Sequence, residues 1–335
     1  MNNICIIGAG ITGLSMLLLL QETDTDLSKV VIVDPYFDGG DLARKWTAVQ
    51  SNTLLSKTVN AIKATCPSAI IPESPYLNTT TKLVDIAHLL RSLAVPALKK
   101  VRKIQGVAVK ANYKDGHWHV QIAGEKTLEI ITKKLILASG SEPKTMDIGI
   151  PSIPLEVALD STRLQHFVKP NDRILVFGTM HSGTLVIKNV VTCGGYVVAY
   201  YTSPQPFYWA RDDVYDGIKE EAAEVADDII SGKIAVELVP VQDTPKVIRS
   251  SHAADWVIYA MGFQPRRSIQ LSKDDTPILS NTYNGSTGAF NDLPAIWGFG
   301  IAYPNLAPDG IHWDVSVAAF LEHMKPQIPA ILAEL

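Results

Sequence analysis

The stretch "NICIIGAGITG", residues 3 to 13, constrains the fold more than any other part of the chain. Residues 4 to 7 are a continuous apolar run, the pattern of a strand buried on both faces, and glycines follow at positions 8, 10 and 13. "LSMLLLLQET" then runs on at helical length, and "KVVIVD", residues 29 to 34, gives a second buried strand. Strand, turn, helix and strand within about 30 residues make a β-α-β unit, whose crossover is right-handed. The apolar run from 14 to 20 is too short to span a bilayer and belongs to the helix of that unit.

Each glycine of the turn has its own task. Gly8 permits the tight bend, Gly10 lets the backbone approach a pyrophosphate, and Gly13 lets helix and strand pack closely. The helix start supplies unpaired amides and a partial positive charge for phosphates. Asp34, at the end of the second strand, is placed to accept a hydrogen bond from a ribose hydroxyl. Together these features point to a dinucleotide. FAD and NAD share such a turn, so other segments must choose between them.

The pattern returns at "RILVFGTMHSGTLVIKNVVTCGGYVVAYY", residues 173 to 201, with Gly178, Ser182 and Gly183 as candidate contacts for a second nucleotide. Met180 replaces the middle glycine, so a side chain projects where pyrophosphate would lie. The next strand ends in "AYYTSP", without an acidic residue to favour NAD, and the nearest arginine for an NADP phosphate is Arg211. NAD(P)H binding and a degenerate, unused site both remain open here.

The rest of the chain fits around these two units. Helices are expected near 54 to 64 and over 80 to 98, then three short strands from 104 to 139 with the turn "KDG" as an antiparallel meander. Residues 150 to 173 are punctuated by proline and read as a connection. Apolar runs at 255 to 263 and 295 to 302 end in glycine turns, and 314 to 324 reads as an amphipathic helix with Asp314 as N-cap. The fold class is therefore α/β: two Rossmann-like three-layer dinucleotide-binding domains with a small antiparallel β-meander. Residues 1–149 and 251–335 form one discontinuous domain, into which 150–250 is inserted.

"GAGITG" with Asp34, Gly39 and Gly40 followed by Trp46, "LILASGSEP" (135 to 143), "DWVIYAMGFQPR" (255 to 266) and "GFGIA" (298 to 302) appear in that order. In this the chain resembles the two-dinucleotide-binding-domain flavoproteins, which include pyridine nucleotide-disulfide reductases and flavin-containing monooxygenases. The resemblance implies FAD at the first turn, with its pyrophosphate at Gly8, Gly10 and Gly13 and its adenosine ribose at Asp34. It puts Val107 by the adenine and returns the chain beside the cofactor at Ala138, Ser139 and Gly140. Gly40 and Trp46 belong to the same cofactor-binding set. Gly300 matches the glycine of a Gly-Asp pair near the ribityl chain, but Ile301 stands in place of the aspartate, so the C-terminal grip differs. The last helix would aim its positive end at the flavin's C2 carbonyl. NAD(P)H would occupy the second turn.

Three cysteines, Cys5, Cys66 and Cys193, are odd in number and far apart, which gives no disulfide framework, no zinc site and no Cys-x-x-Cys pair for dithiol chemistry. Each reads as a buried apolar residue, and the chain as a soluble cytoplasmic protein. The monooxygenase branch fits better, through "SNTLLSK" (51 to 57), similar to that group's Thr-Asn-x-Ser-Lys segment with two residues added. The resemblance puts Asn52 near the reactive edge of the flavin, against a peroxide adduct or substrate; Asn52 is equally suited to cap the helix after it.

His117 and His119 share a strand face, but two ligands make no metal site. His181 is an acid or base candidate or a simple turn residue. In "GIHWD" His312 or Trp313 would shape the substrate pocket, unless Trp313 packs in the core. A net charge of -4 gives no basic surface for nucleic acid. Three functions follow: an NAD(P)H-linked FAD oxidoreductase, monooxygenase-like, acting on a small organic molecule; a flavoprotein reduced by its own substrate or a partner; and a flavin-bound scaffold or sensor without turnover.

Overall fold

The structure, a computed structural model, describes residues 2–207, 218, 220–266, 269–278, 283–307, 310 and 313–333. In chain order, β1 (Asn2–Ile7), α1 (Ile11–Gln21) and β2 (Val30–Asp34) form the first β-α-β unit. α2 (Asp41–Arg44), β3 (Gln50–Leu54), α3 (Leu55–Thr65), β4 (Thr80–Lys82) and α4 (Leu83–Lys100) follow. The strands β5 (Arg102–Gln105), β6 (Val107–Lys114), β7 (His117–Ala123) and β8 (Leu128–Leu137) come next.

After β9 (Ser141–Pro143) come α5 (Leu155–Ala158) and α6 (Ser161–Leu164), then β10 (Arg173–Phe177), α7 (His181–Thr192) and β11 (Tyr196–Tyr201). α8 (Glu221–Ile230), β12 (Glu237–Pro240), α9 (Thr244–Ser251), β13 (Trp256–Tyr259) and β14 (Phe263–Pro265) complete the middle of the chain. Its end holds β15 (Gln270–Lys273), β16 (Thr276–Pro277), β17 (Ile296–Gly298), β18 (Asn305–Leu306), β19 (Trp313–Asp314), α10 (Val317–Met324) and α11 (Ile328–Leu332).

Two compact units result, Met1–Ser141 with Pro265–Leu335, and Glu142–Gln264. The inserted unit starts earlier and ends later than 150–250, because β13 pairs in parallel with β10 and the Lys144 amide donates to the Gly262 carbonyl at 3.0 Å.

In the first unit the strand order is β16-β15-β6-β7-β8-β1-β2-β5, with β17 also on β8. The meander is therefore no separate layer. β8 is long enough to serve two partners: Leu128 to Thr132 pair antiparallel with β7, while Thr132 to Leu137 run parallel to β1. Its last residues also pair with β17.

Alternation along the buried strands separates two cores. Ile4, Ile6, Val30 and Ile32 face α1, α4 and α10, whereas Cys5, Val31 and Val33 join Trp118, Val120 and Ile130 on the other face. Both faces being covered explains why β1 and β2 read as unbroken apolar runs. α1 is buried from Ile11 to Leu20, so its leucine run fills a protein core. Burial of one such leucine stabilises by about 1.5–3 kcal/mol. Among the described residues no helix is long and apolar enough to cross a membrane.

The second unit carries a four-stranded parallel sheet in the order β12-β11-β10-β13. Two expectations shift locally. Residues 80 to 82 form β4, paired with β3, so the helix begins at Leu83. Asp314 is not the cap of the last helix: it lies in β19, accepts from the Ser316 amide at 3.1 Å, and leaves the N-cap to Ser316, whose Oγ accepts from the Ala319 amide at 3.1 Å.

Candidate functional site

In the first unit the ends of three neighbouring strands are tied together at the glycine turn. The Gly8 amide donates to the Val33 carbonyl at 2.8 Å, and the Ala138 amide to the Ile7 carbonyl at 2.8 Å. Gly8 has φ +105°, and a Cβ there would strike the Ala138 carbonyl; one on Gly13 would strike the Gly8 carbonyl. These two glycines thus serve packing inside the protein.

Gly10 differs. Its φ of -76° suits any residue, and what lies close is the turn Gly39–Gly40: Gly10 bridges Gly39, and a Cβ on Gly40 would come 2.7 Å from Gly10 Cα. Gly10 offers no side chain to cap α1, and the first turn of that helix holds no acidic residue. Its first amides are therefore left to an anion. This is the chemistry a dinucleotide pyrophosphate needs, so the residues present fit FAD.

Asp34 is buried, at 6% exposure, and its carboxylate holds two loops. Oδ2 accepts from the Ala9 amide at 2.8 Å, while Oδ1 accepts from the amides of Tyr36 and Phe37, each at 2.8 Å. A carboxylate has about four acceptor positions, which leaves roughly one for a ribose hydroxyl. Sequence reasoning gave Asp34 only the ribose; the loop-holding role had no signal in the motif.

Val107 opens β6 directly after Gly106, whose amide donates to the Asp34 carbonyl at 3.2 Å. Ser139 and Gly140 follow Ala138, with Gly140 at φ +71°. Gly300, at φ +83°, sits against Thr12 in the first turn of α1, where a Cβ would collide with the Thr12 side chain; Ile301 beside it is partly exposed. Trp46 is buried behind α2, its amide donating to the Asp41 carbonyl at 3.2 Å. The N-terminal and C-terminal parts of this unit therefore meet at one helix start.

Asn52 lies in β3, where its Oδ1 accepts from Thr53 Oγ1 at 3.2 Å. The helix after it is capped by Leu54 with no side-chain bond, which removes the helix-cap role for Asn52. His312 lies outside the described residues, as does Arg211. Trp313 is 52% exposed rather than core, with its ring against Gly285 and 6.2 Å from that of Tyr283. His117 and His119 take local partners, the Asp115 carbonyl at 2.8 Å and Glu129 at 3.7 Å.

The turn of the second unit repeats the first, bond for bond. The Gly178 amide donates to the Tyr200 carbonyl at 2.9 Å and the Ala260 amide to the Phe177 carbonyl at 2.8 Å. A Cβ on Gly178 would strike the Ala260 carbonyl, and one on Gly183 the Gly178 carbonyl. Since Tyr200 takes the place of Val33, Tyr201 takes that of Asp34, and among the described residues no carboxylate accepts from this turn. Thr179, in the place of Ala9, anchors it instead by donating to the Pro206 carbonyl. Ser182 lies in the first turn of α7 beside His181, a half-buried ring whose pKa burial lowers, opposed by the charge of Glu221.

The thiols lie apart. Cys5 packs on one face of the first unit's sheet and Cys66 in the core of the other, while Cys193 follows α7 in the second unit. Burial pushes the Cys5 thiol up to about 12.

No family model matches the chain. Monooxygenase AgnR1 of Paecilomyces divaricatus is 25% identical over 389 aligned positions, covering 98% of this chain and 97% of that protein. Among solved structures, the bacillithiol disulfide reductase Bdr of Bacillus cereus superposes with a TM-score of 0.68 at 12% identity, over 98% of both chains. A flavin monooxygenase from Stenotrophomonas maltophilia gives 0.64 at 14% identity, over 99% of this chain and 98% of that one. The chain has the fold of the two-dinucleotide-binding-domain flavoproteins, shared by pyridine nucleotide-disulfide oxidoreductases and flavin monooxygenases.

Proposed function

We propose that the chain is an FAD-dependent oxidoreductase of the monooxygenase type, reduced by NAD(P)H and acting on a small organic substrate. The observation that carries it is the uncapped start of α1, faced by Gly39–Gly40 and free of acidic residues in its first turn. FAD, when bound, supplies the electron transfer that side chains cannot perform. The backbone from Gly8 to Gly13 holds its pyrophosphate, the remaining acceptor position of Asp34 its ribose, and Val107 borders its adenine. Ala138, Ser139, Gly140, Gly300 and Ile301 line the rest, and Asn52 stands at the reacting edge, while His312 is kept as a catalytic candidate from the sequence alone.

Support for NAD(P)H comes from the repeated turn at Gly178, Ser182 and Gly183, with support for a monooxygenase from the relative in Paecilomyces divaricatus. The absorbance of the purified protein tests the first part: a colourless preparation that rejects added FAD removes it. Anaerobic mixing with NADPH and NADH tests the second, since a flavin band that neither bleaches removes the NAD(P)H step. Asn52→Ala is expected to slow or divert flavin reoxidation, and unchanged kinetics remove Asn52 from the site.

A second reading, reduction by the substrate or a protein partner, draws on Met180 and on Tyr201 in the place of Asp34. Bleaching by a small molecule but by neither nicotinamide nucleotide supports it. A flavin that nothing bleaches supports a scaffold or sensor.

A further inference from the structure

Asp41 opens α2 directly after the Gly39–Gly40 turn, and three cations surround its carboxylate. Arg266 Nη2 lies 2.5 Å away, Arg44 Nη2 3.2 Å and Lys45 Nζ 3.8 Å. Arg44 and Lys45 stand three and four positions further along the same segment, and Arg44 also reaches Asp38 at 3.1 Å and lies over the Tyr36 ring, so their contacts stiffen residues 36 to 45 from within. Arg266 comes from 225 positions away. α2 has only four residues and buries none of them fully, although Leu42 and Ala43 pack in part against the core. A segment so short depends on outside anchors.

The same guanidinium holds a second segment. It donates to the Ser141 carbonyl at 3.0 Å and the Ser139 carbonyl at 3.5 Å, and the Arg266 amide donates to Gly140 at 3.1 Å. Residues 139 to 141 follow Ala138, whose carbonyl closes over Gly8, while the Gly39–Gly40 turn lies on Gly10. One planar cation thus joins the two segments that flank the first glycine turn. Its fork can serve a carboxylate and two carbonyls at once, which an ammonium cannot do in fixed geometry.

We propose that Arg266 is a positioning residue for the dinucleotide site, acting through Asp41 and the carbonyls of Ser139 and Ser141 to fix the Gly39–Gly40 turn against Gly10. The inference rests on reading that turn as the FAD site. Partial exposure of the two side chains, 16% for Asp41 and 31% for Arg266, keeps the effect below that of a fully buried pair.

Two measurements on the full-length chain test it. Amide hydrogen exchange over residues 36 to 47, in protein stripped of flavin, reads the clasp without any cofactor. Arg266→Gln is expected to speed it by about fivefold to tenfold, and unchanged exchange there overturns the proposal. The FAD dissociation constant, from flavin fluorescence, is expected to rise by about tenfold in Arg266→Gln and in Asp41→Asn. The double variant should lose no more than either single one, and Arg266→Lys should recover part of the loss. Affinity equal to the parent's in Arg266→Gln, or full additivity in the double variant, overturns the link to the cofactor.

Should Arg266→Gln fail to fold, Arg266→Lys takes its place, and parent-like affinity together with parent-like exchange counts against the proposal. If the parent itself binds no FAD, the cofactor assignment fails while the exchange measurement still decides the clasp.

Discussion

Met180 stands in the second turn with the backbone conformation that Gly10 has in the first: φ -80° and ψ -170° against φ -76° and ψ -169°. The substitution has therefore left the amide cradle of α7 in its ordinary shape, because neither angle needs glycine. A Cβ on Gly10 would meet Gly40 Cα only at an ordinary 3.7 Å, so the close approach there rests on Gly40 and not on Gly10, and the Met180 side chain is 41% exposed. Met180→Gly is accordingly expected to leave the rate of flavin reduction at saturating NADPH unchanged, and its half-saturating concentration within about threefold. A rise in rate of about tenfold or more, followed by anaerobic stopped flow, would show the side chain to be an obstacle after all.

Asp34→Asn should destabilise the first unit even without cofactor. The amide puts a donor where one carboxylate oxygen now accepts from Ala9 or from Tyr36 and Phe37. Hydrogen bonds to a charged group contribute about 1.5–3 kcal/mol each, so thermal unfolding of the flavin-free protein should shift clearly downward. A midpoint equal to the parent's would mean that the carboxylate acts on the ribose alone.

Thiol chemistry should be confined to one position. Burial raises the pKa of all three cysteines, Cys5 to about 12, and only Cys193 is partly accessible. Native protein is expected to release no more than one equivalent from a thiol reagent such as Ellman's, located at Cys193 by peptide mapping. Cys5→Ser and Cys66→Ser should retain flavin reduction. Loss of substrate turnover in either variant, with flavin still bound, would reopen the disulfide-reductase branch.

Stability should fall on acidification. Burial lowers the pKa of His323, whose ring meets Phe299 edge-on at 5.7 Å, and lowers that of His181 despite Glu221. The unfolded chain then binds a proton more readily than the folded one, so the native state is at full strength above the ordinary histidine pKa of about 6.5 and weakens as pH drops through it. His323→Leu is expected to flatten this slope for the first unit, as measured by thermal midpoints between pH 7.5 and 5. A slope as steep as the parent's would assign the effect elsewhere.

Ser316→Ala should cost about 0.5–2 kcal/mol through the lost bond to the Ala319 amide. Asp314→Ala, which removes only the bond to the Ser316 amide, should cost less. The opposite ranking, from denaturant unfolding of the two variants, would restore Asp314 as the cap.

The glycine spacing and apolar runs determined that β1, α1 and β2, and again β10, α7 and β11, would form β-α-β units with a glycine turn at the helix start. That information is local: a tight bend, a close helix and a doubly buried strand each demand residue types within a few positions of one another. The meander was legible for the same reason, through alternation and the "KDG" turn. Its fusion to the parallel sheet was not, because β8 pairs with β7 over one half and with β1 and β17 over the other. Nor could spacing decide the role of Asn52 or Asp314, since capping depends on where a helix starts by a single residue.

Tertiary structure alone decided what each conspicuous residue touches. It turned Asp34 into a holder of backbone amides, placed Gly10 under Gly40 and set Gly300 against Thr12, contacts made by strands and loops distant in sequence. Arg266 ends the quoted 255 to 266 stretch, but nothing in the spacing pairs it with Asp41, and the two meet only because two segments return to the same helix start. Sequence periodicity specifies which faces are buried, whereas which buried or half-buried groups come together is settled by how the elements pack.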